Sequence, residues 1–318
     1  MLLGELLALG ALLCFSGNVL LVNISSRRLK QEVGFLLALG TNVLFAGLLV
    51  VGQYVLLGQP FRPQWPAIGW FVLGGLLTSY LGRWCFFLSV RNIGPTRASS
   101  LQITNPVFAA AAAWLFLGEA LPPVAILFVL AVVGGLWLTT RVRAVAPEPV
   151  PVVVAGTGEQ VGAGAARPSS RRSLSVGQVG LALLGAVAYG LGNVARSAGV
   201  RDWGAPVFGS LVGAAAGLVL FAVIHTDLRS LAAEVRRGDR LGIGLWVLSG
   251  VITIVAQMSL IGATLYIPVA VAVVISAAIP VVILPVSVLC LRRTESVTVS
   301  TAAGALLVLA GVTGLILT

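Results

Sequence analysis

Residues Leu2–Val22 read LLGELLALGALLCFSGNVLLV, a run whose only charge is Glu5. A helix needs roughly 20 apolar residues to cross the hydrocarbon core of a bilayer, so this stretch is long enough by itself. It carries no basic start and no small-residue cleavage site before the next polar stretch, and it is therefore expected to be a permanent first span, not a removed leader. Outward from it, further apolar runs lie at 34–57, 67–90, 98–117, 121–140, 176–196, 205–225, 241–264, 267–291 and 297–317. The fourth and fifth are separated only by Gly118-Glu119-Ala120. They are read as two because Pro122-Pro123 suits a helix start and a single run would far overspan the bilayer.

The composition agrees. Of 318 residues, 58% are hydrophobic and 9% are charged, with a mean hydropathy of +1.05, whereas a soluble domain carries about a quarter charged residues. The net charge of +10 does not point to nucleic acid, because Lys30 is the only lysine and most arginines fall between apolar runs. Charge placed that way orients a membrane protein. Cys14, Cys85 and Cys290 sit inside apolar runs without metal-ligand spacing, and the only histidine is His225 at a helix end. The expectation is no metal, no cofactor, no nucleic-acid partner and no enzymatic activity, with the lipid bilayer as the surrounding partner.

Between the fifth and sixth runs the composition changes to Pro147, Pro149, Pro151, several glycines and Pro168-Ser-Ser-Arg-Arg172. Such a segment buries no core. The chain therefore divides into a first five-helix repeat at 1–140, a flexible linker at 141–175 and a second five-helix repeat at 176–318. Gly17-Asn18-Val19 returns as Gly192-Asn193-Val194, 175 residues later. Gly75 and Thr78 return at the same offset as Gly250 and Thr253. Near it, Gln102 with Pro106 matches Ser276 with Pro280, and Glu119 matches Glu295. An odd number of helices per repeat inverts the second half, so the fold class is an all-α membrane protein of ten transmembrane helices, a 5+5 inverted repeat. One set of loops collects Arg27, Arg28, Lys30, Arg91, Arg97, the linker arginines, Arg229, Arg236, Arg237, Arg240, Arg292 and Arg293, and the other little beyond Arg62, Arg196 and Arg201. The charge bias predicts a cytoplasmic linker in a bacterial inner membrane.

Ser89-Val-Arg-Asn-Ile-Gly-Pro-Thr-Arg-Ala-Ser-Ser100, Asn105-Pro-Val-Phe-Ala109 and Leu117-Gly-Glu-Ala-Leu121 resemble the signature of EamA-type transporters of the drug/metabolite transporter superfamily. The second half is more degenerate: Ile279-Pro-Val-Val282 remains, and Thr294-Glu295 stands for the Gly-Glu pair. The resemblance implies a ten-helix carrier working by alternating access, its cavity between helices 1–4 and 6–9. Small multidrug pumps of that superfamily use a mid-membrane glutamate; here Glu5, Glu119 and Glu295 all lie near run ends or turns. Proton-driven efflux of cations is disfavoured. Glu119 and Glu295 are expected to stabilise the N-terminus of the next helix in each half.

Polar residues at mid-membrane need a reason. Asn18 and Asn193 are expected as a symmetric pair, either lining a cavity or bonding between helices. Gln102 and Ser276 each stand one turn before a proline, and Pro106 and Pro280 would free their carbonyls in a kinked, gating helix. Thr253 and Gln257 share a face, as do Tyr189 and Asn193, with Thr78 opposite by symmetry. Arg83 either snorkels to the interface or faces the cavity and attracts a carboxylate or phosphate. Arg196 is read as an interface residue at a helix end. The expected function is secondary transport of a small polar metabolite, amino-acid-like, carboxylate or otherwise neutral or anionic, by an exporter or exchanger that is a monomer or homodimer. A non-transporting scaffold or sensor, and a carrier of lipid-linked or drug-like substrates, remain open.

Overall fold

The computed structural model describes residues 1–26, 28–56, 58, 62–93, 98, 101–140, 152–153, 160–161, 176–224, 233–236, 238–283 and 299–317. Most of the linker, together with His225, Cys290 and Glu295, lies outside these residues. The four described linker residues form a small antiparallel ladder, Val152–Val153 (β1) against Gln160–Val161 (β2).

The first half holds α1 (Leu2–Ser25), α2 (Gln31–Val51) with a π-helical extension at Gly52–Leu56, and α3 (Trp65–Gly75). Helix α3 runs without interruption through a π-helical stretch, Leu76–Gly82, into α4 (Arg83–Ile93). Then come α5 (Asn105–Leu117) and α6 (Pro123–Thr140). The second half holds α7 (Val176–Trp203), α8 (Pro206–Ile224), α9 (Arg240–Ala263), α10 (Val269–Ala277), a helical continuation at 279–283, and α11 (Val299–Leu317). Among the described residues, five helices are long and apolar enough to cross a membrane: α1, α2 with its extension, α7, α8 and α9. The shorter α5, α6, α10 with its continuation and α11 are apolar as well.

Local chemistry sets the ends. Gly118 (φ 67°) and Gly204 (φ 65°) close α5 and α7 in the left-handed conformation that glycine adopts at little cost. Pro123 and Pro206 stand at the first position of α6 and α8, where no N–H is required. The Asp239 carboxylate accepts from the Leu241 and Gly242 amides and so caps α9.

Two expected runs are drawn differently. The fourth run is broken at residues 103–104, with α5 restarting at Asn105, so Pro106 sits in a first helical turn and not within a continuous kinked helix. The ninth run is broken at Ala278, and Pro280 is again the second residue of its helical segment, the continuation at 279–283. A proline at that place removes no helical hydrogen bond, and each break stands two or three residues upstream of its proline.

The packing pattern repeats with the halves exchanged. Helix α1 packs on α9 and α10, as α7 packs on α3 and α5; α2 packs on α9, as α8 packs on α3; α6 and α11 pack together. Helices α1 and α9 are antiparallel: Gly4 abuts Ala263 and Tyr266 at one end, and Leu29 abuts Gly238 and Gly242 at the other. The loop after α1 bonds to the segment before α9 through Arg28–Asp239 (2.9 Å) and Lys30–Glu234 (2.5 Å). The corresponding loop after α7 lies on the opposite face, where Arg201 reaches the Thr264 carbonyl. Small residues let the helices approach: a Cβ on Gly75 would lie 2.6 Å from the Gly213 carbonyl oxygen, and one on Gly135 2.7 Å from that of Gly304.

The surface is the inverse of a soluble protein. Leu44 (76% exposed), Leu127 (66%), Trp114 (66%) and Leu306 (67%) face outward, while Asn18, Asn42, Arg83, Gln102 and Arg196 are buried. An apolar coat over buried polar groups is the arrangement a hydrocarbon solvent selects.

Candidate functional site

Helix α7 reaches Trp203, seven residues beyond the expected end, because the Gly204 turn and Pro206, not Arg196, supply its stop signals. This corrects the reading of Arg196 as an interface residue. Its side chain is 4% exposed inside the helix bundle, its stem lying against Gly74 and its guanidinium beside Gly213.

Four polar residues line one stripe of α7: Tyr189, Asn193, Arg196 and Ser197, all buried. Opposite this stripe runs the α3–π–α4 helix. Gly82 touches the Tyr189 ring, Thr78 and Leu77 lie over Gly192, and Gly74 carries Arg196. The π-helical stretch Leu76–Gly82 fits one more residue into the turn between the two ends of this contact, a feature found often at functional sites. The Gln102 amide oxygen approaches Gly185 one turn earlier on α7, next to Cys85. Neither polar atom of the Gln102 side chain has a hydrogen-bond partner.

Arg83 opens α4 and is 7% exposed. Its guanidinium carbon lies 3.6 Å from the centroid of the Phe35 ring, a cation–π contact from α2. Gly82, next in the chain to Arg83, packs against the Tyr189 ring, and Arg196 stands two turns further along the same stripe of α7. Two arginines therefore share one buried region, and no aspartate or glutamate among the described residues is buried with them.

Arg83 also lines a cavity of about 540 Å³, within the roughly 300–1,000 Å³ of ligand pockets. Phe35, Ser79, Tyr80, Trp84, Gly217 and Phe221 form its walls, with Lys30 and Glu32 at the rim. Of the residues singled out from the sequence, Arg83 alone contributes to this wall. Phe35, Ser79 and Tyr80 carried no motif that would have marked them.

The remaining candidates sit elsewhere. Asn18 accepts a 2.5 Å hydrogen bond from Ser249 of α9. Asn193 is its counterpart on α7, but the position equivalent to Ser249 is Gly74, which has no hydroxyl to donate to the amide oxygen; separately, the Asn193 Nδ2 has no hydrogen-bond partner. Thr78 donates to the Gly74 carbonyl (2.8 Å) and Ser276 to the Val273 carbonyl (2.9 Å), each within its own helix. Thr253 and Gln257 are buried on α9.

Glu119 does not serve the next helix in the chain. Its Oε2 accepts from the Val269 amide at 2.9 Å, at the start of α10, and its Oε1 pairs with Arg201 at the end of α7. A carboxylate at a helix N-terminus meets the partial positive charge of the unpaired amides. The contact ties the first half to two helices of the second, on the face opposite the cavity rim.

The model of the EamA-like transporter family matches the chain twice, at residues 2–141 and 178–317. A solved structure described only as "Crystal structure of protein" superposes with a TM-score of 0.68 at 17% identity, over 99% of this chain and 96% of that one. At that identity the likeness is one of fold. No curated protein matches the sequence. A multi-pass membrane protein whose two halves each match one family model belongs to the EamA-like transporter family.

Proposed function

We propose that this protein is a secondary transporter with ten spans in a 5+5 inverted repeat, which moves a small neutral or anionic polar metabolite by alternating access. The observation that carries the reading is the cavity of about 540 Å³ with Arg83 in its wall and no buried carboxylate among the described residues. A cation burdens a membrane interior by several kcal/mol unless something offsets it. A site whose buried charge is positive, with Glu32 standing only at its rim, is suited to a solute bearing negative charge.

The one-sided access supports the same reading. The cavity rim, Lys30 and Glu32, lies on the face of the Arg28–Asp239 and Lys30–Glu234 pairs, while Glu119 clamps the opposite face. Alternating access then amounts to exchanging these two sets of contacts. The bacterial inner membrane, a cytoplasmic linker, export or exchange as the mode, and a monomer or homodimer belong to the same proposal.

The test is counterflow into proteoliposomes with pools of amino acids, carboxylates, sugars and nucleotides, for the wild type and Arg83→Ala. The expected result is saturable counterflow of one pool, with loss of anion preference in the variant. Anion transport unchanged in Arg83→Ala removes Arg83 from the site, and no counterflow of any pool favours a scaffold or sensor.

A further inference from the structure

The Arg196 guanidinium is a buried cation with an unused binding edge. Its Nε and Nη2 atoms have no hydrogen-bond partner, and neither does Asn193 Nδ2 one turn earlier on the same stripe. Nε and Nη2 form the side-on fork of an arginine, two parallel N–H donors spaced to meet the two oxygens of a carboxylate. These unmet groups are donors. An acceptor bearing negative charge would satisfy them, and no buried aspartate or glutamate among the described residues supplies it.

The fork also faces a place where a side chain is missing. A Cβ built on Gly213 of α8 would lie 3.6 Å from Nη2 and 3.7 Å from Nε, an ordinary contact distance. Gly213 stands one helical turn, about 6 Å, from Gly217, and Gly217 lines the cavity, packed against Ser79. Gly75, which meets Gly213, stands one turn from Ser79 in the same direction. Ser79 and Gly217, both in the cavity lining, thus pack together as a layer of small residues one turn from the Gly75–Gly213 contact that Arg196 adjoins. The π-helical stretch Leu76–Gly82 forms one side of that layer.

We propose that Arg196 is the inner binding residue for a carboxylate group of the transported solute, which passes from Arg83 in the cavity wall across the Ser79–Gly217 layer. The proposal rests on the transporter reading above and narrows its substrate class to small soluble carboxylates. The chemistry of the fork is shared by the phosphate of a lipid headgroup. The approach through a cavity rimmed by Lys30 and Glu32 favours a solute from water.

The experiment measures calorimetric binding of succinate, acetate and inorganic phosphate, with succinamide as the neutral control, to the full chain in detergent and in vesicles of phosphatidylcholine alone. Counterflow of succinate is followed in the same vesicles. The wild type is expected to bind a carboxylate and not succinamide. Arg196→Gln should weaken that binding at least about tenfold, and Arg196→Lys, which keeps the charge but loses the fork, by a smaller factor. Arg196→Gln removes an uncompensated buried charge, so its ligand-free melting temperature should match or exceed that of the wild type. Gly213→Ala is the second variant: its added methyl is sterically tolerated but stands in front of the fork, and it too should weaken binding.

Wild-type affinity in either Arg196→Gln or Gly213→Ala overturns the proposal. Failure of every carboxylate to bind the wild type overturns it as well, as does binding of phosphate with no binding of carboxylate, which would point to a lipid headgroup. Succinate counterflow that persists in Arg196→Gln leaves the transporter reading standing while this site falls. Binding that depends on Arg196 with no counterflow of any solute supports the site and removes the transporter reading.

Discussion

Replacing Glu119 with alanine removes a side chain that ties the segment after α5 to α7 and α10 on the face opposite the cavity rim. Three contributions disappear. The hydrogen bond from the Val269 amide to a charged acceptor, 2.9 Å long, contributes about 1.5–3 kcal/mol. The carboxylate at the start of α10 adds about 0.3–1 kcal/mol through the helix dipole, partly the same energy counted twice. The Arg201 pair adds about 0–1 kcal/mol, since the arginine side chain is 35% exposed. Glu119→Ala should therefore cost about 2–4 kcal/mol in all. Glu119→Gln keeps an acceptor for Val269 and loses only the charge, at about 0.5–2 kcal/mol, and Arg201→Ala should cost about 0–1 kcal/mol. The assay is denaturant unfolding in mixed micelles, run as a double-mutant cycle between positions 119 and 201. Arg201→Ala costing more than Glu119→Ala, or Glu119→Gln costing as much as Glu119→Ala, would refute the capping of α10 as the main role of this carboxylate.

Other perturbations have separate readouts. Gly75→Ala drives a methyl into the Gly213 backbone at 2.6 Å, which neither helix yields easily; a loss of about 1–3 kcal/mol is expected, and a melting temperature equal to wild type would contradict the close α3–α8 crossing. Ser249→Ala takes from the buried Asn18 its 2.5 Å donor, at about 1–3 kcal/mol, whereas Thr253→Val one turn away, tested as a control, should not reproduce a dependence on Asn18 in a double-mutant cycle. The hydrogen bond from Arg28 and the α9 amides hold the Asp239 carboxyl below its ordinary range. A depressed carboxylate pKa contributes stability that is present in full above the unfolded value of about 3.9 and is lost as the pH falls through the depressed one. Asp239→Asn should accordingly flatten the acid limb of the melting-temperature profile, and an unchanged limb would exclude the Arg28 contact from solution.

The apolar runs, the 175-residue recurrence of Gly-Asn-Val and the stop signals at Gly118 and Pro123 are all legible in the sequence, because a bilayer imposes length and glycine imposes geometry on it directly. The illegible part depends on which helix faces which. Chain order assigns Glu119 to the next helix, yet it acts on α10, reached only through tertiary packing. Asn18 and Asn193 look alike in sequence, but Asn18 accepts from the Ser249 hydroxyl through its amide oxygen, whereas the equivalent of Ser249 in the other half is Gly74 and the Asn193 Nδ2 has no partner. Arg196 marks a helix end only if charge is weighed above turn chemistry; the Gly204 turn followed by Pro206 is the stronger signal and lies in plain view. Pro106 and Pro280 announce irregular backbone, but a proline marks the start of a new helix as readily as a kink, and only the hydrogen-bond pattern tells the two apart.

In the proposed mechanism this molecule carries a solute by exposing one site to each side in turn. Trans-stimulation tests it most directly: vesicles holding the reconstituted protein are loaded with labelled solute, and efflux is timed with and without unlabelled solute outside. A carrier with alternating access releases the label faster when the outer solute is present, with a saturable dependence that is lost when Arg83 and Arg196 are both replaced by glutamine. Efflux that is indifferent to the outer solute, or equal in empty and protein-bearing vesicles, would contradict transport by alternating access.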